Sequence, residues 1–204
     1  ANDAIPVTIG SRPPIHETSI TASHYALDSH AVRKREEGRV HLDGFLSYPS
    51  AVYTVPYGVM VPKEVGNLLL PVPVSGSHIG FSTLRMEPCW MAMGQAAGIA
   101  SALSIDGKVK VQNIDLSRLQ DKLVDQKATL MYFKDVDYTS PHFRMVQYLG
   151  LRGYLPEWTA RLQEPVDMAT LTAWKKLSGK DLPGIEAGKT TRLVALEMIY
   201  RKIK

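Results

Sequence analysis

The apolar positions change their spacing twice along the chain, and the changes divide it into three parts. Up to residue 65 apolar and polar residues alternate in short runs, such as Ser19 to Leu27 and Ala51 to Val55. Pro6, Pro13, Pro14, Pro49, Pro56 and Pro62 punctuate them. Alternation marks half-buried strands and proline keeps them short, so residues 1–65 are expected to be β-rich, irregular and unable to fold alone. Leu68 to Val74 is a continuous apolar run that reads as a strand. It breaks at Ser75-Gly76-Ser77-His78, and a polar loop carrying Arg85 follows. Pro88 marks a helix start, because proline is best tolerated in the first turn. From Glu87 to Leu103, Met, Ala, Gly and Ile occupy every face, so this helix is expected to be buried all round. Asp106-Gly107 is a turn signal that ends the unit, giving a second part over 66–113. From 114 to 204 the spacing is helical, with Leu116, Leu119, Leu123 and Val124 on one face and a last apolar-periodic run from Leu193 to Ile203.

The middle part carries the candidate chemistry. A strand, a polar loop and a helix whose free N-terminal amides and positive dipole end face that loop make a place to hold something electron-rich or anionic. Core packing alone does not require a Ser-x-Ser-His and Arg loop at a helix mouth.

The residues of this unit resemble the C-terminal flavin-contacting region of a family of bacterial FAD-dependent oxidoreductases, members of which are often labelled xanthan lyases. The matching positions are Asn67-Leu68-Leu69, Ser75-x-Ser77-His78, Arg85-Met86-Glu87-Pro88 and Met93-Gly94-Gln95-Ala96-Ala97-Gly98. The likeness extends upstream through His24-Tyr25-x-Leu27-Asp28-Ser29-His30, Val55-Pro56-Tyr57 and Val61-Pro62-Lys63. It implies an α/β or α+β chain: the C-terminal part of a glutathione-reductase-like FAD domain, followed by a helical domain. Residues 1–65 would be the remnant of a cap or substrate domain and the return to the FAD domain. The resemblance further implies Ser75, Ser77, Met86, Glu87, Pro88, Cys89 and Trp90 as flavin-contacting residues. His78 would shuttle a proton near neutrality and Arg85 would orient the substrate. No metal ligand set is implied, and the location expected is secreted or periplasmic.

The glycine fingerprint G-x-G-x-x-G, which cradles a dinucleotide pyrophosphate at a strand–helix turn, is absent from the sequence. In the family it lies upstream of the part matched here. The chain is therefore expected to be the C-terminal portion of a longer flavin-dependent oxidoreductase acting on a carbohydrate-related substrate. Alone it should be inactive and should not retain FAD. Pro71-Val72-Pro73 also stands where many flavoproteins of this fold carry a glycine and an acidic residue for the ribityl chain. The partner expected for the apolar helix is the missing N-terminal FAD-binding half, or a second copy of the chain. Two alternatives are a polysaccharide lyase, with Tyr53, Tyr57, His78 and Arg85 as nominal groups, and a non-catalytic carbohydrate or cell-wall interaction module.

Composition narrows the picture further. A chain of 204 residues with 45% hydrophobic content can bury one good core or two small ones. The net charge of +4 is mild, and the densest basic run, Arg33-Lys34-Arg35, is followed at once by Glu36-Glu37. That pattern belongs to a solvated loop, not a nucleic-acid surface. The single cysteine excludes an internal disulfide framework, and no run approaches the roughly 20 apolar residues of a membrane span.

The C-terminal part is similar to an S-layer-homology repeat, through Phe133-Lys134-Asp135-Val136, Pro141-His142-Phe143, Val146, Leu149, Gly153, Pro165-Val166, Ala169, Leu171 and Ala173-Trp174. Where that family carries Thr-Arg-Ala-Glu, whose arginine helps bind polymer, this chain reads Asp167-Met168-Ala169-Thr170. Asp167 can still cap the helix, but the basic group is gone, and Thr191-Arg192 opens a possible degenerate second unit. This part is expected to be a packing and docking domain without affinity for anionic wall polymer. Trp158 and Trp174 read as core, although an exposed Trp158 after Pro156-Glu157 would suit a pyranose ring. Gly188-Lys189-Thr190-Thr191 lacks the glycine spacing of a phosphate loop. His24, Asp28 and His30, with His16 or His41, read as hydrogen-bonded structural groups more readily than as metal ligands. Cys89 reads as a small buried residue.

Overall fold

The computed structural model describes residues 54–76, 84 and 86–204, together with the backbone of two short strands, β1 (Lys34–Glu36) and β2 (Arg39–His41). The strands pair antiparallel, Lys34 opposite His41 and Glu36 opposite Arg39. The alternating runs of the first part otherwise lie outside the described residues. The chain divides into two compact units between Leu119 and Gln120, whereas the sequence pattern puts the boundary at 113/114. Five helices are described: α1 (Glu87–Gly107), α2 (Leu116–Asp125), α3 (Phe143–Leu151), α4 (Met168–Ser178) and α5 (Arg192–Ile203).

In the first unit, Tyr57–Met60 forms a 3-10 turn with Tyr57 and Met60 buried. The expected strand over Leu68 to Val74 does not form. Pro71 and Pro73 have no N–H to give a ladder, so the run follows the turn only through single bonds, Leu70 N to Met60 O at 2.8 Å and Ser75 N to Val59 O at 2.8 Å. A second 3-10 turn, Val111–Asn113, packs on α1 and is clamped from three sides. Tyr57 Oη donates to Val111 O at 3.0 Å, Asn67 Oδ1 accepts from Val111 N at 3.3 Å, and Gln112 Nε2 donates to Val65 O at 3.0 Å.

Helix α1 runs four residues past the expected end at Leu103 and includes Asp106 and Gly107 in its last turn. Lys108 takes the left-handed conformation, φ 51°, and its N–H closes the last turn on Ser104 O and Ile105 O. The expectation of burial on every face is overturned. Met93, Ala96, Ala97, Ala100 and Leu103 are buried, while Met91 and Ile105 are 74% and 76% exposed. Gln95, Gly98 and Ala102 continue the exposed stripe. An all-apolar helix shows in its composition that both faces can be covered, and among the described residues only one is buried.

The second unit is helical, as expected. Helices α3 and α5 pack together, and Phe143, Val146, Leu149, Trp174, Leu196 and Ile199 are buried. Trp174 is 1% exposed and satisfies its indole by donating to Tyr154 O at 2.7 Å. The segments leading into α4 and α5 run antiparallel through a Pro165–Thr191 bridge, with Val166 N to Thr190 O and Arg192 N to Glu164 O each at 2.8 Å. Asp167 caps α4, accepting from Thr170 N at 2.7 Å and Thr170 Oγ1 at 2.6 Å, and Thr191 caps α5. Gly153 (φ 83°) turns the chain after α3, a conformation that favours glycine.

Candidate functional site at the mouth of the first long helix

Helix α1 begins after Met86, which holds extended backbone (φ −82°, ψ 135°) and supplies no side-chain cap. Pro88 sits in the first turn, as its sequence position requires, and has no N–H. Four positions, Glu87 to Trp90, were expected to aim amides outward. The geometry reduces that set: Cys89 N and Trp90 N both donate inward to Met86 O, at 2.9 and 3.2 Å. The Glu87 amide remains, together with the partial positive charge of a 21-residue helix. Glu87 is exposed and places its carboxylate in that first turn, where it answers the dipole itself.

Trp90 is the unexpected member. Its Nε1 is buried and makes no hydrogen bond among the described residues. A buried indole N–H without an acceptor costs about 1–3 kcal/mol and is uncommon enough to ask for a missing partner. The Trp90 backbone amide is spent inside the helix, on Met86 O. Its side chain is the group with capacity left. Cys89, half-buried beside it, has its thiol pKa pushed up by burial, which works against thiolate formation.

Of the other expected site residues, Ser75 is exposed and its amide is used by Val59 O, while Met86 and Pro88 line the exposed rim. Ser77, His78 and Arg85 lie outside the described residues, as do Tyr53, His16, His24, Asp28 and His30. Nothing is described of the His41 side chain. No metal-binding cluster of His, Cys, Asp or Glu occurs among the described residues. The lyase alternative loses one of its nominal bases: burial pushes Tyr57 up to about 12, and its hydroxyl is committed to Val111 O. The Gly188 loop is not a phosphate cradle, since Gly188 N donates to Val166 O and Thr190 N to Glu186 O.

The described part of the site fits one end of a flavin nucleotide. A donor-capable indole and an uncapped helix start suit the polar edge of a redox ring. Nothing in the sequence supplies the glycine-rich cradle that a pyrophosphate needs.

Arg192 opens α5 and is buried. Its Nε donates to Ala160 O at 2.8 Å and its guanidinium lies over the Trp174 ring, 5.3 Å from the centroid. It staples the loop before α4 to the core. Asp167, exposed nearby, has its carboxyl held below the usual range by Thr170. Sequence reading missed the side chains that hold the loops of this unit. Gln147 is fully buried, its Oε1 accepting from Leu130 N (2.8 Å) and Met131 N (2.7 Å) and its Nε2 donating to Met131 O (2.7 Å). Asp135 accepts from Ala160 N at 2.8 Å and Arg161 N at 2.7 Å. A polar residue inside a helical apolar pattern was the signal for Gln147, and the S-layer-like pattern contains Asp135 without indicating that it holds the Ala160 and Arg161 amides.

The model of the family described as FAD dependent oxidoreductase matches residues 11–123, more than half of the chain. No curated protein and no solved structure matches it.

Proposed function

The chain belongs to the FAD-dependent oxidoreductase family, and from that premise we propose that the mouth of α1 receives the polar edge of a flavin ring in an oxidoreductase acting on a carbohydrate-related substrate. The observation that carries the reading is the buried Trp90 Nε1, without a partner among the described residues, beside an uncapped helix start. When bound, the flavin supplies the redox chemistry, and the protein supplies position and electrostatics. Trp90 Nε1 would donate to an acceptor on the ring edge, and the dipole of α1 would favour negative charge there without reorganisation. Ser75 and Ser77 would donate to ring or ribityl oxygens. His78 would hold or move a proton, and Arg85 would orient the substrate. The fold expected for this arrangement is glutathione-reductase-like, with the exposed stripe of α1 from Met91 to Ile105 covered by the half that carries the glycine fingerprint.

The flavin-loaded enzyme tests this reading. Trp90→Phe keeps the ring and removes the donor, and is expected to weaken FAD retention and shift the flavin absorption bands. His78→Ala and Arg85→Ala are expected to slow flavin reduction by substrate while flavin content stays near wild type. Unchanged spectra in Trp90→Phe together with normal reduction in both other variants would place the flavin elsewhere.

A further inference from the structure

The loop 154–162 of the second unit is tied both to the core, through buried Tyr154, Leu155, Ala160 and Leu162, and to neighbouring backbone. Asp135 clamps its Ala160 and Arg161 amides, and Trp158 O accepts from Lys134 N at 2.8 Å. Rigid loops that display side chains are where binding sites are commonly built. Three features of this loop go beyond packing. Trp158 is partly exposed and meets Tyr132 edge to face, centroids 6.0 Å apart at 71°, with Tyr132 itself 42% exposed. Arg161 is in the left-handed region, φ 51°, a strained conformation for a non-glycine residue. Its Nε is buried and has no hydrogen-bond partner among the described residues, while its terminal nitrogens pair with Glu157 and, at 3.8 Å, with Glu164.

We infer that Tyr132, Trp158, Glu157 and Arg161 form a stacking site for a neutral pyranose residue of a polysaccharide. The apolar face of a sugar ring suits the partly exposed indole of Trp158, and the charged Arg161–Glu157 pair at its rim suits neighbouring hydroxyls. Charge decides between neutral and acidic sugar. Arg161 is answered by two carboxylates, and Asp135 and Asp167 lie close enough to bear on the neighbouring Arg192, so the site holds no net positive field for an anionic chain. The inference does not depend on the flavin reading, because it concerns the second unit alone.

Native affinity electrophoresis of the whole chain tests it, in gels containing hydroxyethylcellulose, barley β-glucan, xylan or xanthan. Retardation is expected in at least one neutral gel and should persist in added salt. Trp158→Ala and Tyr132→Ala should each weaken it, Trp158→Ala by about tenfold, while Trp158→Phe retains part. Thermal melting of each variant identifies any loss that is due to unfolding, and Trp158→Phe then decides the outcome. No retardation in any neutral gel overturns the inference. So does equal retardation of wild type and folded Trp158→Ala, or salt-sensitive retardation in xanthan alone.

Discussion

Single carboxylates and one amide fix the loops of the helical unit. Asp167, Asp137 and Asp181 are each held below the ordinary carboxyl range, by Thr170, Thr139 and Lys175 respectively. A carboxyl depressed in the folded state stabilises it fully above the unfolded value, here 3.8, and that contribution is lost as pH falls through the lower folded values. Melting temperature should therefore be flat in this respect from pH 7 to about 5 and decline modestly below about 4, since all three carboxyls are exposed to solvent. Asp167→Asn should flatten part of the acid limb, whereas Asp167→Ala should lower stability at neutral pH as well. Differential scanning calorimetry across that range checks both. Gln147 is the stronger test of a buried polar group. Gln147→Leu fits the space but leaves the Leu130 and Met131 amides and the Met131 carbonyl without partners. A loss of about 3 kcal/mol or more in urea unfolding is expected, and a loss below about 1 kcal/mol would mean that water replaces the amide. Trp174→Ala should cost about 3–5 kcal/mol by the same measurement, because its indole is both enclosed and bonded. The cap at Asp167 and the burial of Trp174 were legible in sequence, since each depends on local spacing. The partners of Gln147 and Asp135 were not, because they come from loops 16 to 26 residues away.

The helices were largely legible as elements, and their environments were not. The helical spacing of Leu119, Leu123 and Val124 and the proline at 88 located α1 and α2 because such signals act within a turn or two. The apolar run before α1 misled, because hydrophobicity alone predicts a strand where Pro71 and Pro73 forbid its ladder. Composition also could not tell which face of α1 this chain covers. Two substitutions separate the faces. Ala96 is fully buried, and Ala96→Leu should overpack the first unit by about 1–3 kcal/mol. Met91→Lys, on the open stripe, should change the stability of this chain by no more than about 0.5 kcal/mol. If the stripe is the seat of another polypeptide half, Met91→Lys should nevertheless abolish its association in the flavin-loaded enzyme. Equal tolerance of both substitutions in chemical denaturation would mean that α1 is not packed as described.

Across the whole molecule, the family match and the site geometry cover different parts of one requirement. The match spans residues 11–123, and the described site offers a buried indole N–H at Trp90, without an acceptor among the described residues, and a helix dipole. Neither supplies a pyrophosphate cradle, because no two glycines in the chain stand in a G-x-G spacing. The ring edge contributes a few hydrogen bonds, whereas the diphosphate carries the nucleotide's charge and needs several amides converging on it. Ring contacts alone leave that charge to water and should bind too weakly to survive dilution. Fluorescence titration of FAD with this chain should therefore show no saturable change at micromolar concentrations, and gel filtration should return it colourless. If a separate polypeptide carries that fingerprint, supplying it in trans should give a yellow complex whose formation depends on Trp90 and on the open stripe of α1. Tight FAD binding by the chain alone would show that a phosphate cradle exists without the fingerprint, and would move the search for it to the residues around Ser75 and Arg85.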